Sequence, residues 1–157
     1  MKKRSSSSPA PGAEFSASAR RMAAQSEPSA RVYKTPGAGA IRARELPTFA
    51  RAMHAMLDAG MPLAQCLNSA EQQTASIAFR QVLERIRMAV QHGNRFSAAA
   101  AQFPDVFDDM FLGMIRTGEV SGRLAETLGS LADHLESSAE LRQKVKAAMM
   151  YPAAVTA

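Results

Sequence analysis

Carboxylate side chains stand close together at one point of the sequence where their spacing could support chemistry. Asp105, Asp108 and Asp109 lie at i, i+3 and i+4, which places three carboxylates on one side of a helix. Such oxygens are ligands for hard cations, but the spacing of an EF-hand loop is absent. Negative charge also favours the first turn of a helix, because the helix dipole is positive there. We therefore interpret Asp105 as an N-cap, the cluster as a complement to the dipole, and predict no bound metal.

A second acidic candidate lies in the Gly-Glu-Val-Ser-Gly segment at residues 118–122. We predict a turn in which Gly118 ends one helix with a positive φ and Ser121 caps the next helix. Glu119 is predicted to reach free amide groups of the turn, and partner docking is the alternative role for this carboxylate. No other titratable group stands at a fixed spacing from Glu119, which disfavours catalysis.

Other chemistry finds little support in the sequence. No Gly-Lys pair exists, which excludes a phosphate-binding loop of the Walker type. His54, His92 and His134 lack metal-ligand spacing, and we interpret them as surface or capping residues. Cys66 is the only cysteine, so no internal disulfide forms, and its helical spacing from neighbouring leucines predicts burial. We predict no enzymatic activity and no cofactor.

The elements that position these residues are predicted to be helices, because apolar residues recur at helical period from Leu46 onward. Convincing strand alternation is absent. The fold class is therefore all-α, a compact bundle of about six helices with a long C-terminal helix, whose buried stripe is predicted to include Val145 and Met149. The six helices are predicted between Leu46 and Gly60, Pro62 and Thr74, the N-cap Ser76 and Gly93, Ser97 and Phe103, the cap Asp105 and Gly118, and Gly122 and Met150.

Residues 1–44 differ from the rest in composition and charge. They hold nine of the 19 Lys and Arg residues but only two of the 14 Asp and Glu residues, and they are rich in Ser, Ala, Pro and Gly. Such a segment buries too little apolar surface to offset its ordering entropy, which predicts a disordered basic tail or linker. Serines follow the basic start where a signal peptide needs apolar residues, and no run of 18 apolar residues occurs, so the sequence as written predicts a cytoplasmic location.

Several short motifs occur in an order that resembles one family. They are residues 56–63 (Met-Leu-Asp-Ala-Gly-Met-Pro-Leu), 93–97, 103–107 (Phe-Pro-Asp-Val-Phe), 114–122, 131–136, and 141–144 leading to Tyr151-Pro152. Together they resemble the soluble domain of the GspF/PilC family, the inner-membrane platform proteins of type II secretion systems and type IV pili. The resemblance runs from about Leu46 to Ala154.

The resemblance implies a domain division and a location. Residues 45–152 would form the first cytoplasmic helical domain, and residues 153–157 would begin a truncated membrane segment. The full-length protein would span the bacterial inner membrane, with this domain on the cytoplasmic side.

The resemblance also implies partners rather than substrates. A platform protein scaffolds the pseudopilus or pilus, couples its assembly to a cytoplasmic ATPase, contacts other inner-membrane assembly proteins and pseudopilins, and self-associates into dimers or larger oligomers. The candidate partner-contact residues lie in and beside the 118–122 segment: Arg116, Gly118, Glu119, Ser121, Gly122 and Arg123.

Three alternatives stay open beside this reading. The basic tail could bind nucleic acid, although the remaining residues are slightly acidic and lack a basic recognition helix, so we predict no nucleic-acid partner. The chain could be a free-standing helical adaptor. The acidic cluster could serve a small metal-dependent enzyme, although the sequence offers no complementary base.

Overall fold

The computed structural model describes the backbone of residues 31–155 and the side chains of residues 31–150. The chain divides into two units, Met1–Arg31 and Val32–Ala157, and every helix described here belongs to the second unit. Six α-helices of five or more residues occur among the described residues: α1 Leu46–Asp58, α2 Leu63–Gln73, α3 Ile77–Gln91, α4 Phe96–Ala100, α5 Asp109–Ser121 and α6 Leu124–Val155. No strand occurs in this part of the chain, which confirms the all-α prediction. The predicted disorder of residues 1–30 lies outside the described residues.

Several predicted helix boundaries are confirmed by their local geometry. Gly60 follows α1 with φ +82° and Gly93 follows α3 with φ +91°, a conformation in which glycine has no steric penalty. The Ser76 hydroxyl oxygen accepts a hydrogen bond from the Phe79 amide at 3.2 Å, so Ser76 is the N-cap of α3.

Residues 31–44 differ from the prediction of a disordered tail. Ala38–Ala40 form a helical turn, and Ile41–Glu45 form a π-helical turn that leads directly into α1. The Leu46 amide donates to the Ile41 carbonyl five residues earlier, and this wide turn brings both side chains into the core. The π-helical turn ends at Glu45, and Pro47, which has no amide hydrogen to donate, lies in the first turn of α1. Helical structure therefore begins before the predicted start of the first helix.

A short stretch ahead of these turns is also held in place. The Tyr33 amide donates to the Gln102 carbonyl at 2.8 Å, and the Tyr33 ring stacks on Phe103 with centroids 5.4 Å apart. The Arg85 guanidinium lies 4.5 Å from the centroid of the Tyr33 ring, a cation–π distance. Tyr33 thus helps to anchor a segment whose overall composition predicted disorder.

All six helices and the turn before α5 contribute side chains to one hydrophobic core. The most extensive helix pairs are α1 with α6, α2 with α3, and α5 with α6. Cys66 of α2 is fully buried, as predicted. Its thiol donates to the Met61 carbonyl at 3.6 Å, and burial raises the pKa of the thiol. The largest fully buried side chains are Met53, Leu67, Phe79, Leu83, Ile86, Phe96, Phe107, Phe111, Ile115, Leu128 and Leu131.

Helix α6 extends beyond the helices that cover it. It has 32 residues whereas α1 and α5 have 13 each. Leu128 and Leu131 are buried as predicted, but Val145 and Met149 are 59% and 74% exposed, and every residue from 141 to 150 is exposed. The predicted buried stripe was therefore wrong in its second half, because no other described helix is long enough to cover it.

Polar contacts join α1 to α6 in an antiparallel arrangement. The Arg51 guanidinium contacts both carboxylate oxygens of Glu136, at 3.1 and 2.7 Å, and one oxygen of Asp133 at 2.6 Å. The hydrogen bonds to Arg51 lower the pKa of the Glu136 carboxyl, and the same bonds raise the pKa of Arg51. All three side chains are well exposed to solvent, so they set the register of the helices more than they stabilise them.

One turn further along α1, His54 meets α6 at close range. Its Nδ1 lies 2.7 Å from the Ala125 carbonyl oxygen, and because a carbonyl only accepts, Nδ1 must carry the hydrogen. The ring fits because Gly129 has no side chain; a Cβ there would lie 3.0 Å from His54 Nδ1. His54 thus packs between two helices, which differs from the predicted surface or capping role.

Candidate functional site

The 118–122 segment is the last turn of α5, not a loop between helices. α5 continues through Ser121, and Gly122 ends it with φ +72° in the left-handed conformation. The amides of Gly122 and Arg123 both donate to the Gly118 carbonyl, which closes the helix end. The prediction that Gly118 ends the helix with a positive φ was therefore wrong. Of Gly118 and Gly122, only Gly122 has the positive φ that favours glycine.

Gly118 is required for a different reason, the close approach of α5 and α6. This buried residue faces Thr127 and Leu124 of α6. A Cβ at position 118 would lie 2.6 Å from the Thr127 hydroxyl oxygen and 3.2 Å from the Leu124 Cα. The second contact is with backbone, so a larger residue would have to move the helices apart.

Glu119 does bind free amide and hydroxyl groups, but those of another helix. Its Oε1 accepts from the Ser97 amide at 3.3 Å, and its Oε2 accepts from the Ser97 hydroxyl. α4 begins at Phe96, so Ser97 lies inside the helix rather than ahead of it as predicted, and the N-cap residue Arg95 offers no capping side chain. Glu119 therefore supplies the missing cap from α5 and satisfies the buried Ser97 side chain.

The predicted cap at Ser121 is also corrected by the structure. The Ser121 hydroxyl donates to the Gly118 carbonyl at 3.4 Å, within its own helix, and it does not cap α6. A serine in the last turn of a helix often bonds back to an earlier carbonyl in this way.

The outward side of this turn carries the remaining candidates. Arg116 is exposed, Val120 is 73% exposed, and the Arg123 side chain is paired with the exposed Glu126 at 3.3 Å. We call Arg116, Val120 and Arg123 the exposed patch. Val120 was missed from the sequence, because in a predicted loop its direction could not be assigned, whereas in α5 it lies one turn after Arg116. Arg123 follows Gly122, beyond the end of the helix.

The acidic cluster does not form on one helical face. α5 begins at Asp109 and its N-cap is Asp108, whose Oδ1 accepts from the Phe111 amide at 2.9 Å. The prediction of Asp105 as the cap was wrong by one turn. Ahead of the helix lies a turn in which Phe103, Val106 and Phe107 are buried and Pro104 is exposed.

The carboxylates of that cluster share no partner. Asp105 accepts hydrogen bonds from the amide and hydroxyl of Thr35, and Asp108 forms an ion pair with Arg42 at 2.9 Å. Both thereby fasten the segment ahead of α1 to the turn before α5. Among the residues that the structure describes, no three His, Cys, Asp or Glu side chains come together as a metal site would require.

The fold and the site define a helical module whose conspicuous polar residues join one helix to another. The family model described as type II secretion system (T2SS), protein F, matches residues 49–157. The chain belongs to this family.

Relatives from both kinds of machinery are similar to this chain. The type IV pilus assembly protein PilC of Myxococcus xanthus is 38% identical over 117 residues, which cover 74% of this chain and 28% of that protein. PilC of Thermus thermophilus is 38% identical over 112 residues, 71% of this chain and 27% of the relative. The type II secretion system protein F of Vibrio cholerae is 34% identical over 108 residues, 69% of this chain and 27% of the relative. The chain thus spans less than a third of the length of these curated relatives.

Within the described part of the chain, no helix combines the length and the apolar character that crossing a membrane requires.

Substituting Gly118 by Ala is expected to lower the free energy of unfolding by about 1–3 kcal/mol, because the new methyl group overlaps α6. The matched control is Gly113→Ala in the same helix, where no heavy atom lies within 4 Å of an added Cβ. That control should leave stability unchanged or raise it by up to about 1 kcal/mol, through helix propensity. Urea unfolding followed by circular dichroism measures both, and equal effects at the two positions would contradict the close-approach argument.

Removing the Glu119 carboxylate is expected to lower the free energy of unfolding by about 1–3 kcal/mol, because the Ser97 amide and hydroxyl lose their acceptor. The combination with Ser97→Ala should cost much less than the sum of the two single variants. Glu126→Ala, which removes an exposed carboxylate from a surface ion pair, should change stability by less than about 0.5 kcal/mol. Additive effects of Glu119→Ala and Ser97→Ala on the free energy of unfolding would show that the contact between the two side chains does not stabilise the fold.

Proposed function

We infer that this chain is the cytoplasmic domain of an inner-membrane platform protein that scaffolds type II secretion or type IV pilus assembly. Membership of the protein F family and similarity to relatives named for both machineries support this inference. In this role the domain acts by contact between proteins rather than by catalysis. The use of Glu119, Asp105 and Asp108 in helix caps and interhelical contacts is consistent with that role.

The observation that carries the proposal is the continuity of α6 from the core to an uncovered end. The helix is packed against α5 at Gly118 and against α1 at Gly129, so its first half cannot rotate independently of the domain. Its 32 residues span roughly 48 Å at the usual rise per residue. A continuous helix fixed at one end and free at the other is suited to passing a displacement of the domain to whatever its free end meets.

The displacement would come from a cytoplasmic assembly ATPase that docks on this domain. The exposed patch is the surface we assign to such partner contacts, because Val120 is an uncovered apolar side chain one turn from Arg116, and arginine is enriched at protein interfaces. Other inner-membrane assembly proteins, pseudopilins and further copies of the same protein complete the proposed set of partners, and the full-length protein would place this domain on the cytoplasmic side of the inner membrane.

The transmission role is tested by breaking α6 where it has left the core. Inserting Gly-Ser-Gly-Ser between Glu140 and Leu141 of the full-length protein should abolish secretion or piliation in the bacterium that encodes it, because a flexible joint cannot pass on a displacement. Protein abundance is checked by immunoblotting.

Two controls separate stiffness from length and from insertion as such. A seven-residue insertion of Glu-Ala-Ala-Ala-Lys-Ala-Ala at the same point lengthens the helix but keeps it stiff, and it turns the rest of the helix by only about 20°. The Gly-Ser-Gly-Ser insertion between Gly93 and Asn94 tests the exposed connection after α3. Activity should survive both controls better than the flexible break, and full activity with the flexible break would refute the transmission role.

A further inference from the structure

A groove lies between the π-helical turn ahead of α1 and the exposed half of α6. Its volume is about 510 Å3. Four cationic side chains and a single carboxylate line it, together with a histidine: Arg42, Arg44, Asp108, His134, Arg142 and Lys146. The bundle core ends at Leu135, so the groove opens where α6 leaves its neighbours.

The charge of the groove is not neutralised by its own residues. Asp108 is engaged by Arg42 at 2.9 Å, which uses the only lining carboxylate. Arg44, Arg142 and Lys146 form no ion pair within the described part of the chain, and all three are exposed. Three positive charges around one concavity attract an anion with several oxygens, and the planar guanidinium fork is matched to phosphate in particular.

An apolar stripe runs along α6 beside these cations. Leu141, Val145 and Met149 stand at i, i+4 and i+8 and are 63%, 59% and 74% exposed. Arg142 and Lys146 each follow a stripe residue directly, so they lie on the flank of the stripe at about 100° per residue. No acidic residue occurs in residues 141–157. Apolar residues bordered by Lys and Arg are the pattern of a helix that lies in a membrane interface.

We propose that the groove binds the phosphate head groups of anionic phospholipids while the stripe contacts the boundary of the acyl chains. The long stems of Arg142 and Lys146 can lie along apolar surface with their charges at head-group level. The charge favours a membrane over a protein partner, because the groove and the stripe offer cations and apolar groups but only one carboxylate, itself already paired. The proposal does not depend on coupling to an ATPase.

The test measures binding of the full chain to vesicles of phosphatidylglycerol mixed equally with phosphatidylcholine, with pure phosphatidylcholine vesicles as the reference. The groove variant carries Arg44→Gln, Arg142→Gln and Lys146→Gln. A basic residue at an anionic surface strengthens binding about fivefold, so the groove variant should bind on the order of 100-fold more weakly.

A charge-matched control keeps the net charge equal. It carries Lys34→Gln, Arg95→Gln and Arg116→Gln, three exposed residues that do not line the groove. This variant should lose less than about fivefold in vesicle binding, since its groove is intact. Thermal unfolding confirms that both variants fold. Equal losses in the two variants, or no loss in the groove variant, would overturn the proposal, because binding would then follow net charge alone.

Inorganic phosphate distinguishes a membrane site from a site for a free anion. Under the proposal, millimolar phosphate at constant ionic strength changes vesicle binding by less than twofold, because a membrane presents many head groups and the apolar stripe at once. Saturable displacement of the protein from vesicles by inorganic phosphate would identify a free-anion site and overturn the membrane assignment. Failure of this proposal would leave the secretion or piliation result of the α6 insertions unchanged.

Discussion

The close approach of α6 to α1 and α5 is the constraint on which the other features depend. At each contact a glycine leaves room that a Cβ would fill. Gly118 of α5 lets the α6 backbone at Leu124 approach, and Gly129 of α6 lets the His54 ring pack against it. Packing this tight leaves no space for a larger side chain at either position. The rigid attachment of the first half of α6 follows from this geometry.

Around these contacts, polar side chains join one helix to another and fix their register. Arg51 bridges to Glu136 and Asp133, and His54 donates to the Ala125 carbonyl, so α1 and α6 are joined at successive turns. Glu119 likewise joins α5 to α4, because its carboxylate caps the start of α4. These contacts join α1, α4, α5 and α6 into one packed unit.

The sequence predicted the number and order of the helices because apolar period and glycine breaks are local signals. Gly60, Gly93 and Ser76 have the roles that were predicted for them. The ends of α5 were predicted wrongly, since Gly118 and Gly122, like Asp105 and Asp108, are equally suited by residue type to a cap.

Tertiary contacts decide such cases, and these cannot be seen in a local pattern. Gly118 is needed against α6, and Asp105 is needed by Thr35, seventy residues earlier in the chain. The order of residues 31–44 was missed for the same reason. Composition averages over a segment, whereas Tyr33 and Ile41 hold this one in place through two well-packed side chains.

Contact with the assembly machinery is the central claim, and site-specific photo-crosslinking tests it most directly. A photoreactive amino acid is placed at Val120 of the full-length protein in the bacterium that encodes it, with the exposed Asn68 of α2 as the control position. We expect an adduct with the assembly ATPase, identified by mass spectrometry, from Val120 and not from Asn68. An active machine that gives no adduct from Val120, or the same adducts from both positions, would contradict it.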